Sequence, residues 1–297
     1  MATMRQIAHH ILAHKKKANS FTFAYFGDSW FDWGETKQEA IIRYQIFLGG
    51  LETAARENPL FILLGGDSVF SGTNEQLTYF KETVVSFMNQ TKIPVFAVPG
   101  NHERNGPRGP LNPYKRLISN QLNYKIDVPH LRVIALNNIG PETQITNAAY
   151  KYYGFEQSGL ALTKLKEFLR TTPKNSNIVV MMHVPPQSPG DWSRGDGTKF
   201  CLTVGDEFLV KGHPKNQEFL HLMQQYKKKV QHVLCGHVHD YGFKDIGGIP
   251  YLINGTGGAV IDFNNISVFQ VQNGNVSTPV KKPIIRSKKI PRITFGL

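Results

Sequence analysis

Along the chain, short apolar runs alternate with stretches in which apolar residues recur every three or four positions. Short apolar runs bounded by turn residues predict buried strands, and the longer spacing predicts amphipathic helices. Phe21–Gly27 (FTFAYFG), Leu60–Gly65, Ile93–Val98, Leu131–Leu136, Asn177–Met182 and Val230–Cys235 read as strands. Ile41, Tyr44, Leu48, Leu51 and Ala55 share one helical face, as do Leu77, Phe80, Val84 and Phe87. A capping box precedes each of these helices, Thr36 with Glu39 and Thr73 with Gln76. Further helices are expected over Leu162, Leu165 and Leu169, and near Glu218 to Tyr226. Alternating strands and helices predict an α/β fold, and 297 residues fit a single domain.

Five of these strands end in a polar cluster: GDSW at 27–30, GGDS at 65–68, PGNHE at 99–103, MMH at 181–183 and CGHVH at 235–239. Open α/β sheets bind ligands beyond the carboxyl ends of their strands, so the chemistry is expected there. Singly these are ordinary residues. Asp28 suits a helix cap, Gly66-Asp67 is a common turn dipeptide, and a lone His183 after an apolar strand fits a core histidine. His237 and His239, two apart on an extended segment, share one side of the chain. Together, in this order, the clusters supply what a two-metal hydrolase needs: a carboxylate to bridge two cations about 3.5–4 Å apart, and oxygen and imidazole ligands around each. The candidate ligands are Asp28, Asp67, Asn101, His183, His237 and His239. A mixed Asp, Asn and His set points to Mn, Fe, Zn, Co or Ni rather than Ca or a thiolate-bound metal.

The order GD, GD, GNHE, H and GHVH resembles the calcineurin-like metallophosphoesterase superfamily from about Phe21 to Ala259. The resemblance implies a four-layer α/β/β/α sandwich. It makes Asp67 the bridging carboxylate, puts Asn101, His183 and His237 on one metal, and gives the other to Asp28 and His239. His102 would stand beside the transferred phosphate as charge stabiliser or general acid, and a metal-activated hydroxide would attack phosphorus in line. The expected layout is a basic N-terminal segment (1–20), a metallophosphoesterase domain (21–272) with a Pro- and Gly-rich loop over the site (184–215), and a basic C-terminal tail (273–297).

Two departures narrow the branch. The first motif of the family is DxH, but here the histidine position holds Trp30, which cannot coordinate. The first metal then keeps Asp28, Asp67 and His239, so one site is expected to be weaker, unless Asp32 compensates. Phe70 occupies the tyrosine position of the purple acid phosphatase motif GDxxY, so no iron-tyrosinate is expected. GGDSVFSG lacks the arginine of the protein phosphatases, and GHVH is present. The chain thus resembles the small-molecule, phosphodiesterase-like or purple-acid-phosphatase-like branches. Trp30, Phe31 and Trp33 either pack at the sheet end or stack on a planar leaving group, and Arg194, Lys199, Lys211 and His213 are candidate phosphate contacts.

Charge changes this picture little. Of the +12 net charge, ten basic residues lie in the acid-free stretches 1–27 and 275–297, leaving 24 basic against 22 acidic residues between them. A basic groove through the site is therefore not implied; the ends are either solvated or contact a polyanion, and Ile284, Ile285, Ile290 and Phe295 also allow the tail to pack on the body. Cys201 and Cys235 lack metal or disulfide spacing and read as inert thiols. No apolar h-region and cleavage site follow Lys15–Lys17 and no stretch approaches the roughly 20 residues of a membrane span, so a cytoplasmic location is expected, and secretion only if a leader was removed. Hydrolysis of a phosphomonoester or phosphodiester is the leading reading. A superfamily nuclease and an inactive polyanion binder with a degenerate site are the alternatives.

Overall fold

The computed structural model describes residues 2–15, 18–106, 109–141, 160–187, 214–262 and 264–292. Two six-stranded sheets form its centre. The first is built on β1 (Ser20–Phe26), β2 (Phe61–Leu64) and β3 (Val95–Ala97), which run parallel. Antiparallel β10 (Asn265–Gln272) extends it and pairs in turn with β11 (Asn275–Val276) and β12 (Val280–Pro283). The second sheet runs β4 (Tyr124–Val128), β5 (Leu131–Ala135), β6 (Asn177–Met181), β7 (Val230–Cys235), β9 (Pro250–Asn254) and β8 (Tyr241–Asp245), parallel from β5 to β9.

Side-chain alternation shows how the layers stack. In β5 and β6, Val133, Ala135, Val179 and Met181 join the core that contains Phe23, Phe61 and Phe269 of the first sheet. Their neighbours Ile134, Val180 and Met182 instead pack with Leu165 and Phe168 of α5 (Ala161–Arg170) and Phe219 and Met223 of α6 (Pro214–Gln225). Successive strand residues point to opposite faces, so the second sheet is covered on both. The first sheet carries α1 (Met4–His14), α2 (Lys37–Arg56) and α3 (Asn74–Thr91), with Phe47 of α2 against Phe26 and the short α4 (Asn112–Leu117) beside α3. The sandwich is the one expected.

Both chain ends are more structured than a basic arm and tail. Thr3 caps α1 in a full capping box with Gln6, and Met4, Ala8 and Leu12, one per turn, are buried. At the other end, residues 284–292 cross α2 and α3. Gly49 and Gly50 of α2 admit this strap, because a methyl group on Gly49 would overlap the Ile285 carbonyl. Its cations have acidic partners on the helices, Lys289 with Glu52 at 3.2 Å and Arg292 with Glu82 at 2.9 Å, and Lys282 of β12 just before it pairs with Glu57 at 3.2 Å. The Arg292 N–H also donates to the Tyr79 hydroxyl at 2.7 Å. Exposed pairs contribute little each, so apolar seating does most of the holding, through Ile284 against the core. Deleting residues 284–297 is expected to cost about 1–3 kcal/mol of stability, the scale of one buried aliphatic side chain, with small-substrate turnover nearly unchanged. Urea denaturation checks this, and a shift below about 0.5 kcal/mol would mark a free arm.

Candidate metal centre

The candidate ligands converge where the carboxyl ends of the two sheets meet. Asp28 follows β1, Asp67 follows β2, Asn101 and His102 lie in a 3-10 turn after β3, His183 follows β6, and His237 and His239 follow β7. Asp28, Asp67 and His237 have φ of 57°, 49° and 70°, the left-handed region that side chains other than glycine adopt at a cost. Tight turns bring carboxylate and imidazole to one point, and glycine makes room. A methyl group on Gly100 would overlap the Asp67 carboxylate, and one on Gly236 the Asp28 carboxylate.

Asn101 Oδ1 lies 3.1 Å from His183 Nε2 and 3.0 Å from His237 Nδ1, the two ring nitrogens are 3.2 Å apart, and Asp67 Oδ2 is 3.4 Å from His183 Nε2. His183 donates its Nδ1–H to the Gly65 carbonyl at 2.8 Å, which turns Nε2 toward these acceptors. Lone pairs so gathered repel one another unless a cation lies among them. Two ligands about 2.1 Å from one transition metal, at about 90–110° to each other, lie roughly 3.0–3.4 Å apart. The donor set therefore fits a metal ion in type and spacing. A second group, Asp28, Asp67 and His239, has its ligand atoms within 4.8 Å of one another, and Asp67 belongs to both. It is the looser of the two, with His239 Nε2 3.7 Å from Asp28 Oδ1.

Electrostatics agree. Burial opposes the charge on Asp67, but His183 and His102 outweigh it and hold the carboxyl well below its usual range. Burial would likewise discharge His183, yet Asp67 beside it raises the imidazole to about 9, so the pocket draws a cation, a proton being the simplest. Burial, reinforced by His183, pushes His237 down to about 3, and burial pushes His239 down to about 4. Neutral imidazoles are the form that binds metal. Asp28 is pushed well up by burial and by Asp67.

Two residues that sequence reasoning left without a role organise the loops. Glu103 is buried and its carboxylate accepts from the backbone N–H groups of Asp67, Ser68, Val69 and Gly100, tying the loops after β2 and β3 together. Burial, with Asp67 adding, raises it to about 7. Asn138 accepts from the His183 and Val184 N–H groups at 3.2 and 3.1 Å and donates to the Val184 carbonyl at 2.6 Å. Glu103 was in view inside PGNHE; Asn138 follows a predicted strand just as the ligands do.

Asp32 does not compensate for Trp30. It is buried and, among the described residues, belongs to neither metal group and has no hydrogen-bond partner for either carboxylate oxygen. Trp30 packs instead, its ring 5.0 Å from that of His102, 4.9 Å from His239 and 5.2 Å from Phe70. Trp33 stacks on Phe70 at 3.6 Å, with Arg43 over the rings of Trp30 and Trp33. His102 donates from Nδ1 to the Phe70 carbonyl at 2.7 Å, and its Nε2 is 3.9 Å from Asp67 Oδ2. Cys235 is a buried free thiol. Cys201, most of the loop 184–215 and the candidate contacts Arg194, Lys199, Lys211 and His213 lie outside the described residues.

The profile of the calcineurin-like phosphoesterase family matches residues 23–241. A Moraxella catarrhalis (strain BBH18) protein named probable cyclic nucleotide phosphodiesterase is 28% identical over 207 residues, 66% of this chain and 64% of that protein, so the match spans less than two thirds of the relative. Among solved structures, a dimetal phosphatase from Danio rerio has a TM-score of 0.62 at 14% identity, covering 89% of this chain and 99% of that one. Purple acid phosphatase PPD1 from yellow lupin (Lupinus luteus) seeds gives 0.58 at 14% identity, over 88% of this chain and 51% of that one. At such identities the structural likeness bears on fold alone. On the profile match, which takes in all six candidate ligands, the chain belongs to the calcineurin-like phosphoesterase family, a family of metal-dependent phosphoester hydrolases.

Proposed function

We propose that this chain hydrolyses phosphodiesters at a two-metal centre, with Asp67 bridging, Asn101, His183 and His237 on one ion, and Asp28 and His239 on the other. The observation that carries the reading is the pair of ligand groups sharing Asp67. The name of the Moraxella relative favours diesters over monoesters. When bound, the ions polarise the phosphoryl group and supply a nucleophile at neutral pH. The chain's own residues do the rest. Glu103 and Asn138 hold the loops that aim the ligands, and the His102 Nε2 hands a proton to the leaving oxygen or steadies its charge.

Purified protein supplied with Mn²⁺ is assayed on bis(4-nitrophenyl) phosphate, 4-nitrophenyl phosphate, a cyclic nucleotide and single-stranded DNA. Diester turnover that disappears on chelation supports the reading. Faster monoester turnover would make it a phosphatase, DNA digestion a nuclease, and no turnover at all would leave an inactive binder. The donor set favours Mn, Fe, Zn, Co or Ni. Since Trp30 adds no ligand and the Asp28 group is looser, the ions are expected to bind unequally. Protein isolated without added metal should carry about one ion, with activity rising as the weaker site fills. Metal analysis with calorimetric titration checks this, and two equally tight ions would contradict it.

A further inference from the structure

Arg43 is a buried cation on α2, and among the described residues no carboxylate pairs with it. Buried arginines are normally paired, because an uncompensated charge away from water is costly. Here the compensation comes from two loops. Nη1 donates to the Trp33 carbonyl at 3.2 Å and Nη2, more loosely, to the Ala259 carbonyl at 3.5 Å, while the guanidinium lies over the rings of Trp30 and Trp33 at 5.2 and 4.9 Å. Both loops lead to the same half of the metal centre. In the loop after β9, the Ala259 N–H donates to the Asp28 carbonyl and the Gly257 N–H to that of Gly27, each at 2.8 Å, which braces the turn carrying Asp28. In the loop after β1, the Trp30 ring lies 4.9 Å from that of His239. The tighter group has supports of its own: the Gly65 carbonyl and Asn138 fix His183, and Glu103 fixes the Asp67 loop.

We propose that Arg43 is a positioning residue for the Asp28–Asp67–His239 group, holding the Asp28 turn through Ala259 and the His239 ring through Trp30. With Trp30 in place of a ligand, ordering the side chains that remain is one way to strengthen the weaker site. The inference rests on the two-metal reading above. Its sign separates it from a plain charge effect. A cation near a metal site repels the incoming ion, and Arg43 already opposes positive charge on His239. On charge alone, Arg43→Met would tighten the weaker ion, whereas loss of positioning loosens it.

Zn²⁺ is the probe, titrated by calorimetry into metal-free unmodified protein, Arg43→Met and Arg43→Lys, with thermal melts alongside. The weaker ion should bind roughly 10- to 100-fold less tightly in both variants, the usual scale for removing a support of a metal ligand, while the tighter ion is unchanged. Lysine should not rescue, since it keeps the charge but cannot fork between two carbonyls or lie flat on two rings. Trp30→Phe, which leaves Arg43 in place and draws the ring back from His239, should lose affinity at the same ion. Tighter or unchanged binding of the weaker ion in a cooperatively melting Arg43→Lys, or equal loss of both ions, would overturn the proposal and leave the two-metal reading standing. Unmodified protein that takes up fewer than two Zn²⁺ ions would sink both.

Discussion

Asp67→Asn is expected to reduce metal-dependent turnover to background while the protein stays folded. Asp67 is the one residue common to both ligand groups, so its loss weakens both ions at once. Asparagine keeps the shape and can still accept from the His102 N–H, which now donates to Asp67 Oδ1 at 2.8 Å. It also removes one of two buried carboxylates that raise each other's cost, since Asp67 is among the causes pushing Asp28 up. A cooperative melt with bound metal falling below one ion per chain is the expected pattern, read by thermal denaturation and metal analysis. Retention of a tenth or more of the activity would remove Asp67 from the centre.

The second large effect belongs to His102. His102→Ala should lower kcat by roughly 10² to 10⁴, the range of general acid assistance, without releasing metal. The geometry supplies a sharper test. Because Nδ1 is committed to the Phe70 carbonyl, only Nε2 is available to face a leaving oxygen. A proton donor matters most when the leaving group is a poor one, so the loss should be large for an alkyl ester and shrink to about tenfold for 4-nitrophenolate, which departs without protonation. Equal losses for both would indicate charge stabilisation, and loss of bound metal would make His102 a ligand.

Six parallel strands and the ligand-bearing ends were legible because each is a continuous apolar run closed by a Gly- or Pro-containing turn, as in FILLGGD and VFAVPGN; the seventh, β9, was missed. The edge elements were harder. Met4, Ile7, Ala8, Ile11 and Leu12 carry a helical stripe behind a Thr3–Gln6 capping box, but the neighbouring run of lysines drew attention to charge instead. Asn273-Gly274, with φ of 51° and 83°, is the turn joining β10 to β11, a hairpin signal that passed unused. Ile284 and Ile285 signal that the tail packs on the body but not where, since its seat is two glycines more than 230 positions earlier. Asp32 suits a ligand by residue type, but it is buried at φ 52° and, among the described residues, belongs to neither group.

Three of the proposed ligands, Asp28, Asp67 and Asn101, come from the first sheet, and three, His183, His237 and His239, from the second. The ions would therefore rivet two layers that are otherwise joined by apolar contact, by chain connections and by hydrogen bonds such as those from the Gly27 N–H to the Asn254 carbonyl and from the His183 Nδ1–H to the Gly65 carbonyl. A ligand that binds only the folded form adds its binding free energy to folding, about 2.7 kcal/mol per ion at a hundredfold excess over Kd. Withdrawing the metal removes that tie, so unfolding should begin as a parting of the sheets at their carboxyl edge, with the helices still attached to each. For this protein, metal affinity and resistance to unfolding are one quantity measured from two sides.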